Sequence, residues 1–225
     1  MAGDMGRLPR NERLCDLAAA SPLILYFLFV SAGLALQIQS QIKGATFSDE
    51  LVLSVTIKAA GAIFAVTQIV FLVIRRIPAA RFSAWWPRII AVIGGNAPLL
   101  FLMLPAAAPH AGVSLASAAL LILGTLASIF VLCWLGRSFS VTPQARALVV
   151  SGPYRFIRHP LYLSEQIIIL GAMFQYRQPW AFVIFAASMT AQVPRMHYEE
   201  LILTQTFPRY RAYAGRTARL VPGIY

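Results

Sequence analysis

From Val113 to Leu135 the chain carries no Asp, Glu, Lys, Arg or His. At about 1.5 Å per helical residue, a run of that length reaches across a hydrocarbon core of about 30 Å. Lipid offers no partner for backbone N–H and C=O groups, so a segment that crosses it must satisfy them internally. With no stretch alternating at strand period and no repeat, the segment reads as a membrane helix. Leu17–Leu36 and Leu51–Ile74 read the same way; Lys58, inside the second, extends its ammonium to the interface. Ile89–Leu104 is a further run, broken in character by Gly94, Gly95, Asn96 and Pro98, which predict a kink or a close approach to a neighbour. Asn96 reads as a helix–helix hydrogen bond and His110, in the following loop, as solvated. Two shorter runs, Leu163–Phe174 and Trp180–Val193, predict a tight helical hairpin. From Arg195 an amphipathic helix is expected, ending at Pro208.

The expected fold is therefore all-α: a polytopic membrane bundle of about six segments, with a short closing hairpin and a C-terminal amphipathic helix. Residues 1–135 form a four-span scaffold in this reading, and residues 136–225 a second half that holds the short hairpin and the candidate site. The composition agrees, with 59% hydrophobic and 12% charged residues and a mean hydropathy of +0.70, far from an ordinary soluble domain. The net charge of +11 raises the question of nucleic acid, but no patch interleaves aromatics with several basic residues, so no nucleic-acid partner is expected. Membrane orientation accounts for the charge instead. Placing both termini in the cytoplasm puts every Lys and Arg on that side except Lys43, Lys58 and Arg177. The chain is thus expected to be a multi-pass protein, of a bacterial inner membrane, with membrane lipids as neighbours. Cys15 and Cys133 lie too far apart in kind and position to predict a disulfide or a metal site.

Two stretches concentrate the polar chemistry. In SGPYRFIRHPLY, Ser151–Tyr162, Gly152 and Pro153 predict a turn, and Pro160 fits the first position of a new helix. Tyr154, Arg155, Arg158 and His159 then sit at a helix entrance, where free N–H groups welcome negative charge. The second stretch, Arg195–Tyr213, places Arg195 four residues before Glu199, on one helical face, with Glu200 adjacent. One reading of both is a set of interfacial ion pairs on a non-enzymatic membrane scaffold. Their joint occurrence argues for a site.

Together they resemble the isoprenylcysteine carboxyl methyltransferase family and its bacterial relatives, in a superfamily that includes phospholipid N-methyltransferases and, more distantly, sterol reductases. The resemblance rests on Gly152, Pro153, Tyr154, Arg158, His159, Pro160 and Tyr162, then Arg195, Glu199, Glu200, Leu201, Phe207, Tyr210 and Tyr213, and covers about residues 135–222. It implies that residues 136–225 bind S-adenosylmethionine. The cofactor would be held by His159, Tyr162 and the Glu199/Glu200 pair, with Arg158 and Pro160 beside them and Gly152–Tyr154 closing over it. No glycine-rich dinucleotide fingerprint competes with this. A membrane NADPH-dependent reductase of the sterol-reductase type is the alternative enzyme.

Arginine pairs with carboxylates, carboxylates with an ammonium or ribose hydroxyls, and aromatic faces with adenine or a sulfonium, so these residue types suit that cofactor. Arg195 is expected to orient a lipophilic or lipid-modified acceptor. A carboxylate acceptor, as in isoprenylcysteine, is ionised at neutral pH and needs no base. An amine must lose a proton first, to Glu165, Glu199, Glu200 or His159. Glu165, costly in an apolar setting, either faces a cavity or pairs with Arg158 or another arginine.

Overall fold

The structure, a computed structural model, describes residues 10–43, 46–82, 85–107 and 111–223. His110 and the side chain of Asn96 lie outside what it describes. Among the described residues, seven α-helices carry the fold: α1 (Arg10–Ile42), α2 (Asp49–Ile74), α3 (Trp86–Asn96), α4 (Ala111–Leu135), α5 (Pro160–Met173), α6 (Trp180–Thr206) and α7 (Tyr210–Ala214). They pack in a chain of neighbours, α1 on α2, α2 on α4, α4 on α5, and α6 against both α5 and α3.

Among the described residues, three helical stretches are long and apolar enough to cross a membrane: Glu12–Ile42, Asp49–Ile74 and Ala111–Ser138. Their outer faces carry large exposed apolar side chains, among them Phe29 (79% exposed), Leu123 and Phe130, which is the surface expected of helices solvated by lipid. Ser48 caps α2, its hydroxyl accepting from Leu51 N at 3.2 Å, and Asp49 and Glu50 in the first turn suit the positive end of the helix dipole. Small residues let α4 and α5 approach closely. A Cβ on Gly124 would lie 2.8 Å from Ile168, and one on Gly171 3.0 Å from the backbone of Ser117 and Leu121. Ser117 Oγ donates to Gly171 O at 2.8 Å and Ser128 to Ser164 at 2.8 Å, the packing favoured where lipid supplies no hydrophobic drive between helices.

The described residues do not confirm six spans, although α5 and the first part of α6 match the two short runs of the expected hairpin. Ile89–Leu104 is not one helix: α3 stops at Asn96 and a 3-10 stretch, Ala97–Met103, follows. Pro98 has no N–H to continue the α-helical ladder, which accounts for the change of pitch. At the other end the chain is more regular than expected. The helix starting at Trp180 runs unbroken to Thr206, through Pro194, so no separate amphipathic helix begins at Arg195. Polarity changes along α6 while its backbone does not; Tyr198 keeps the polar half docked, edge-on to Trp86 at 4.6 Å between ring centres. As expected, the helix ends just before Pro208. The two-residue strands β1 (Ala80–Arg81) and β2 (Gln144–Ala145) pair antiparallel, Ala80 opposite Ala145. Neither has a period a sequence could reveal, yet they tie the α2–α3 loop to the strap between α4 and α5.

Candidate functional site

The strap turns at Gly152, whose φ of +58° suits glycine and where a Cβ would collide with the indole of Trp134. Trp134 Nε1 donates to Ser151 Oγ at 3.2 Å, fixing the indole over the turn. Pro153 lies inside the resulting 3-10 turn, Gly152–Arg155, which buries Tyr154 with Leu72, Leu132, Phe139 and Leu161. Pro160 begins α5 as predicted. The C-terminal tail returns alongside: Arg158 N donates to Ala218 O at 2.8 Å, His159 N to Arg219 O at 3.1 Å, and Tyr213 Oη to Tyr154 O at 2.6 Å.

These contacts bring Arg158, His159 and Arg219 around Glu200. Its Oε1 accepts from Arg158 Nη1 at 2.9 Å and lies 3.0 Å from His159 Nε2; its Oε2 accepts from Arg219 Nη2 at 3.0 Å and Nε at 3.2 Å. Burial alone would raise this carboxyl, but the His159 hydrogen bond and the charges around it outweigh that and hold Glu200 below its ordinary value. Glu199 is placed differently. Its Oε2 accepts from Tyr162 Oη at 2.7 Å, and its side chain is 36% exposed, open where Glu200 is closed. The Tyr162 ring stacks on His159 at 5.3 Å and carries the Arg195 guanidinium 4.6 Å from its centre.

Arg195 does not turn to Glu199, although helical spacing predicts that pairing. Its Nη1 donates to Gln192 Oε1 at 2.7 Å and lies 3.9 Å from Glu165 Oε2. Of the two expectations for Glu165, facing a cavity and pairing with an arginine, the geometry combines both, and the arginine is Arg195. The guanidinium lies over Gly95, and a Cβ on Gly94 would come within 3.1 Å of Arg195 Cδ. The close approach that the Gly94–Gly95 pair predicts is therefore made to Arg195.

Two cavities lie near the Tyr162–Glu199 hydrogen bond, Tyr162 lining the first and Glu199 the second. The first, about 250 Å³, lies among α1, α2, α3, α5 and α6; Phe27, Val30, Phe64, Leu161 and Ile168 line its apolar walls, and Tyr162, Glu165, Gln192 and Arg195 its polar end. The second, about 50 Å³, is walled by Ser138, Thr142, Gln144, Arg146, Tyr154, Arg158, Glu199, Tyr210 and Tyr213. Ser140 borders both, and the Tyr162–Glu199 hydrogen bond lies between them. Arg146 Nε and Arg158 Nε, from residues that line the second cavity, are buried without a hydrogen-bond partner, and Tyr210 lies within hydrogen-bond reach of Arg158; unpaired buried donors ask for an acceptor. Burial first, then the carboxylates Glu200 and Glu199, push Tyr213 up to about 12 against the opposing Arg158 charge, so its hydroxyl stays a donor at neutral pH.

Sequence reasoning missed Arg146, Ser140, Gln144, Gln192 and Arg219 as neighbours of this site. Arg219 carried a signal, since the basic tail returns to the motif; Arg146 carried none. Cys15 and Cys133 are free, and among the described residues no group of three His, Cys, Asp or Glu could hold a metal.

Residues 111–209 match the phospholipid methyltransferase family, consistent with the membrane methyltransferase superfamily that the two motifs resemble. The chain is also similar to the cobalt-zinc-cadmium resistance protein CzcN of Cupriavidus metallidurans, at 33% identity over 78 residues, 34% of this chain and 36% of that protein. The nickel-cobalt-cadmium resistance protein NccN of Alcaligenes xylosoxydans xylosoxydans is 30% identical over 82 residues, 36% of this chain and 38% of that protein. The chain thus aligns with a little over a third of the length of these curated relatives.

Proposed function

We propose that this chain, matched over residues 111–209 to phospholipid methyltransferases, is a membrane methyltransferase that moves a methyl group from S-adenosylmethionine to a lipophilic acceptor. The observation that carries the reading is the junction of the two cavities at Ser140 and the Tyr162–Glu199 hydrogen bond. One cavity is polar and edged by unsatisfied donors; the other is apolar and ends in a charged cluster. A cofactor from water and an acceptor from the bilayer need such a meeting point. The arginine distribution supports an orientation in which the polar cavity opens to the cytoplasm.

S-Adenosylmethionine would supply a methyl group on a sulfonium, open to in-line displacement. This chain's part is then alignment and exclusion of water. Arg158, partly exposed beside the polar cavity, suits the cofactor's carboxylate with its unused Nε, while Arg146 holds the strap in place behind it. Glu199 suits its ammonium or ribose hydroxyls, and Tyr210 and Tyr213 its adenine. Between the two glutamates the geometry favours Glu199 for the ligand, because both oxygens of Glu200 are occupied by Arg158, His159 and Arg219. His159 and Tyr162 hold Glu200 and Glu199 in place, and Gly152, Pro153 and Pro160 set the strap that carries them. At about 50 Å³ the polar cavity is below the roughly 300–1,000 Å³ of small-molecule sites, so binding requires the strap or the tail to move outward.

Arg195 would orient the acceptor across the Tyr162 ring. A carboxylate acceptor of the isoprenylcysteine kind needs only that positive charge. An amine acceptor has its own support, Glu165 at 3.9 Å from Arg195, placed to take a proton.

Calorimetric titration of S-adenosylmethionine and S-adenosylhomocysteine into the detergent-purified protein tests the reading. Saturable binding is expected, weakened at least about tenfold in Glu199→Gln by loss of a charge-assisted contact. Absence of binding in folded protein, or saturable NADPH binding in its place, would overturn it.

A further inference from the structure

We infer that the cleft between the strap and the tail binds the headgroup of an anionic phospholipid. The cleft, about 760 Å³, is bordered by Arg155 from the strap, Arg209 just ahead of α7 and Arg216 just after it, with Val150, Phe207 and Pro208 as its apolar part. No Asp or Glu lines it. The carboxylates nearest in the chain, Glu199 and Glu200, are engaged with Tyr162 and with Arg158, His159 and Arg219. Neither Arg155 nor Arg209 has a carboxylate partner among the described residues, and the Arg216 hydrogen bond runs only to Ala212 O. Three guanidiniums around one concavity attract an anion, and the planar fork of arginine suits phosphate oxygens.

Position selects a lipid as the source of that phosphate. The strap turns back onto the end of the Ala111–Ser138 membrane stretch, Trp134 Nε1 donating to Ser151 Oγ at 3.2 Å and Gly152 packing on the same indole, which brings Arg155 beside the end of that helix. Its neighbour Phe156 is 69% exposed, Val150 45% and Trp134 46%, the mixture of aromatic, aliphatic and arginine side chains that lies among headgroups. S-Adenosylmethionine, a cation through its sulfonium, does not suit this cleft. The site is separate from the polar cavity, divided from it by Leu148 and Tyr213, which face both, and the inference does not depend on the methyltransferase reading.

The test is calorimetric titration of dihexanoylphosphatidylglycerol, below its micelle concentration, into the detergent-purified full chain. Dihexanoylphosphatidylcholine, inorganic phosphate and NADPH serve as parallel ligands. Saturable binding of the glycerol lipid alone is expected, weakened at least roughly tenfold in an Arg155→Gln, Arg209→Gln, Arg216→Gln triple variant. Arg211→Gln, an exposed tail arginine outside the cleft, should bind as the parent does, and both variants should keep the parent's unfolding temperature, because these side chains are exposed. Equal binding of the choline lipid, or of free phosphate, would overturn the inference, as would NADPH saturating the same arginines or undiminished binding in a folded triple variant.

Discussion

Asp16 and Glu200 each gather several positive side chains around one carboxylate, and their surroundings differ. Asp16 accepts a forked pair from Arg146, at 2.9 and 3.2 Å, and a third bond from Arg75 Nε at 2.8 Å. Arg75 also reaches Asp16 O at 2.9 Å, and Arg146 reaches Gln144 and the backbone oxygen of Arg76. Side chains in this cluster are at most 9% exposed, and that of Arg146 is fully buried. Around Glu200, Arg158 is 16% and Arg219 28% exposed. The Asp16 cluster is a dry brace joining the start of α1, the end of α2 and the strap; the Glu200 cluster is a wetter frame at the edge of a cavity. Identical pairing chemistry thus serves rigidity in one place and access in the other, and water decides which.

The most damaging way to break this contrast is Asp16→Ala. It leaves two buried guanidiniums uncompensated, and thermal unfolding in detergent should show a loss of about 3–5 kcal/mol. A loss within about 1 kcal/mol would put Asp16 with surface pairs and erase the distinction. Glu200→Gln should cost less, about 1–3 kcal/mol, because its arginines keep some water.

That second variant also carries a pH signature. Glu200 is held below its ordinary 4.5 when folded, so its contribution is full above that value and is lost as pH falls through the lower, folded one. Stability of the parent should decline on acidification below about 4.5, and that of Glu200→Gln should decline less. Equal slopes would remove Glu200 from the acid response. Smallest of all, Tyr213→Phe removes one hydroxyl donor to Tyr154 O and should cost about 0.5–1.5 kcal/mol, measured in the same unfolding assay.

The contrast also separates what could be read in the sequence from what could not. Arg158, His159 and Glu200 stand in two compact motifs, and Pro160 announces the helix that orients the first of them, so their meeting was legible. Asp16 and Arg146 are 130 residues apart, joined only through tertiary packing and a two-residue strand pair with no hydrophobic period. Long apolar runs gave α1, α2 and α4 because lipid imposes length and composition on a span. Where the chain is short or polar that constraint lapses. Pro98 changes the pitch of the third run, whereas Pro194 leaves the last helix unbroken, and sequence alone does not tell the two prolines apart. The partner of Arg195 was not legible: helical spacing offers Glu199, while side-chain packing against Gly94 and Gly95 turns it toward Gln192 and Glu165.

The unbroken course of α6 has a consequence for energetics at a distance. Gln192 and Arg195 end one cavity, and Glu199 borders the other one helical turn along the same rod. A rod cannot shift at one of these points and stay put at the other. On the proposed function, an acceptor that displaced α6 at Arg195 would displace Glu199 with it, and a cofactor that displaced Glu199 would displace Arg195 in return. Linkage would make that influence mutual: each ligand would alter the other's affinity by the same factor, whichever bound first.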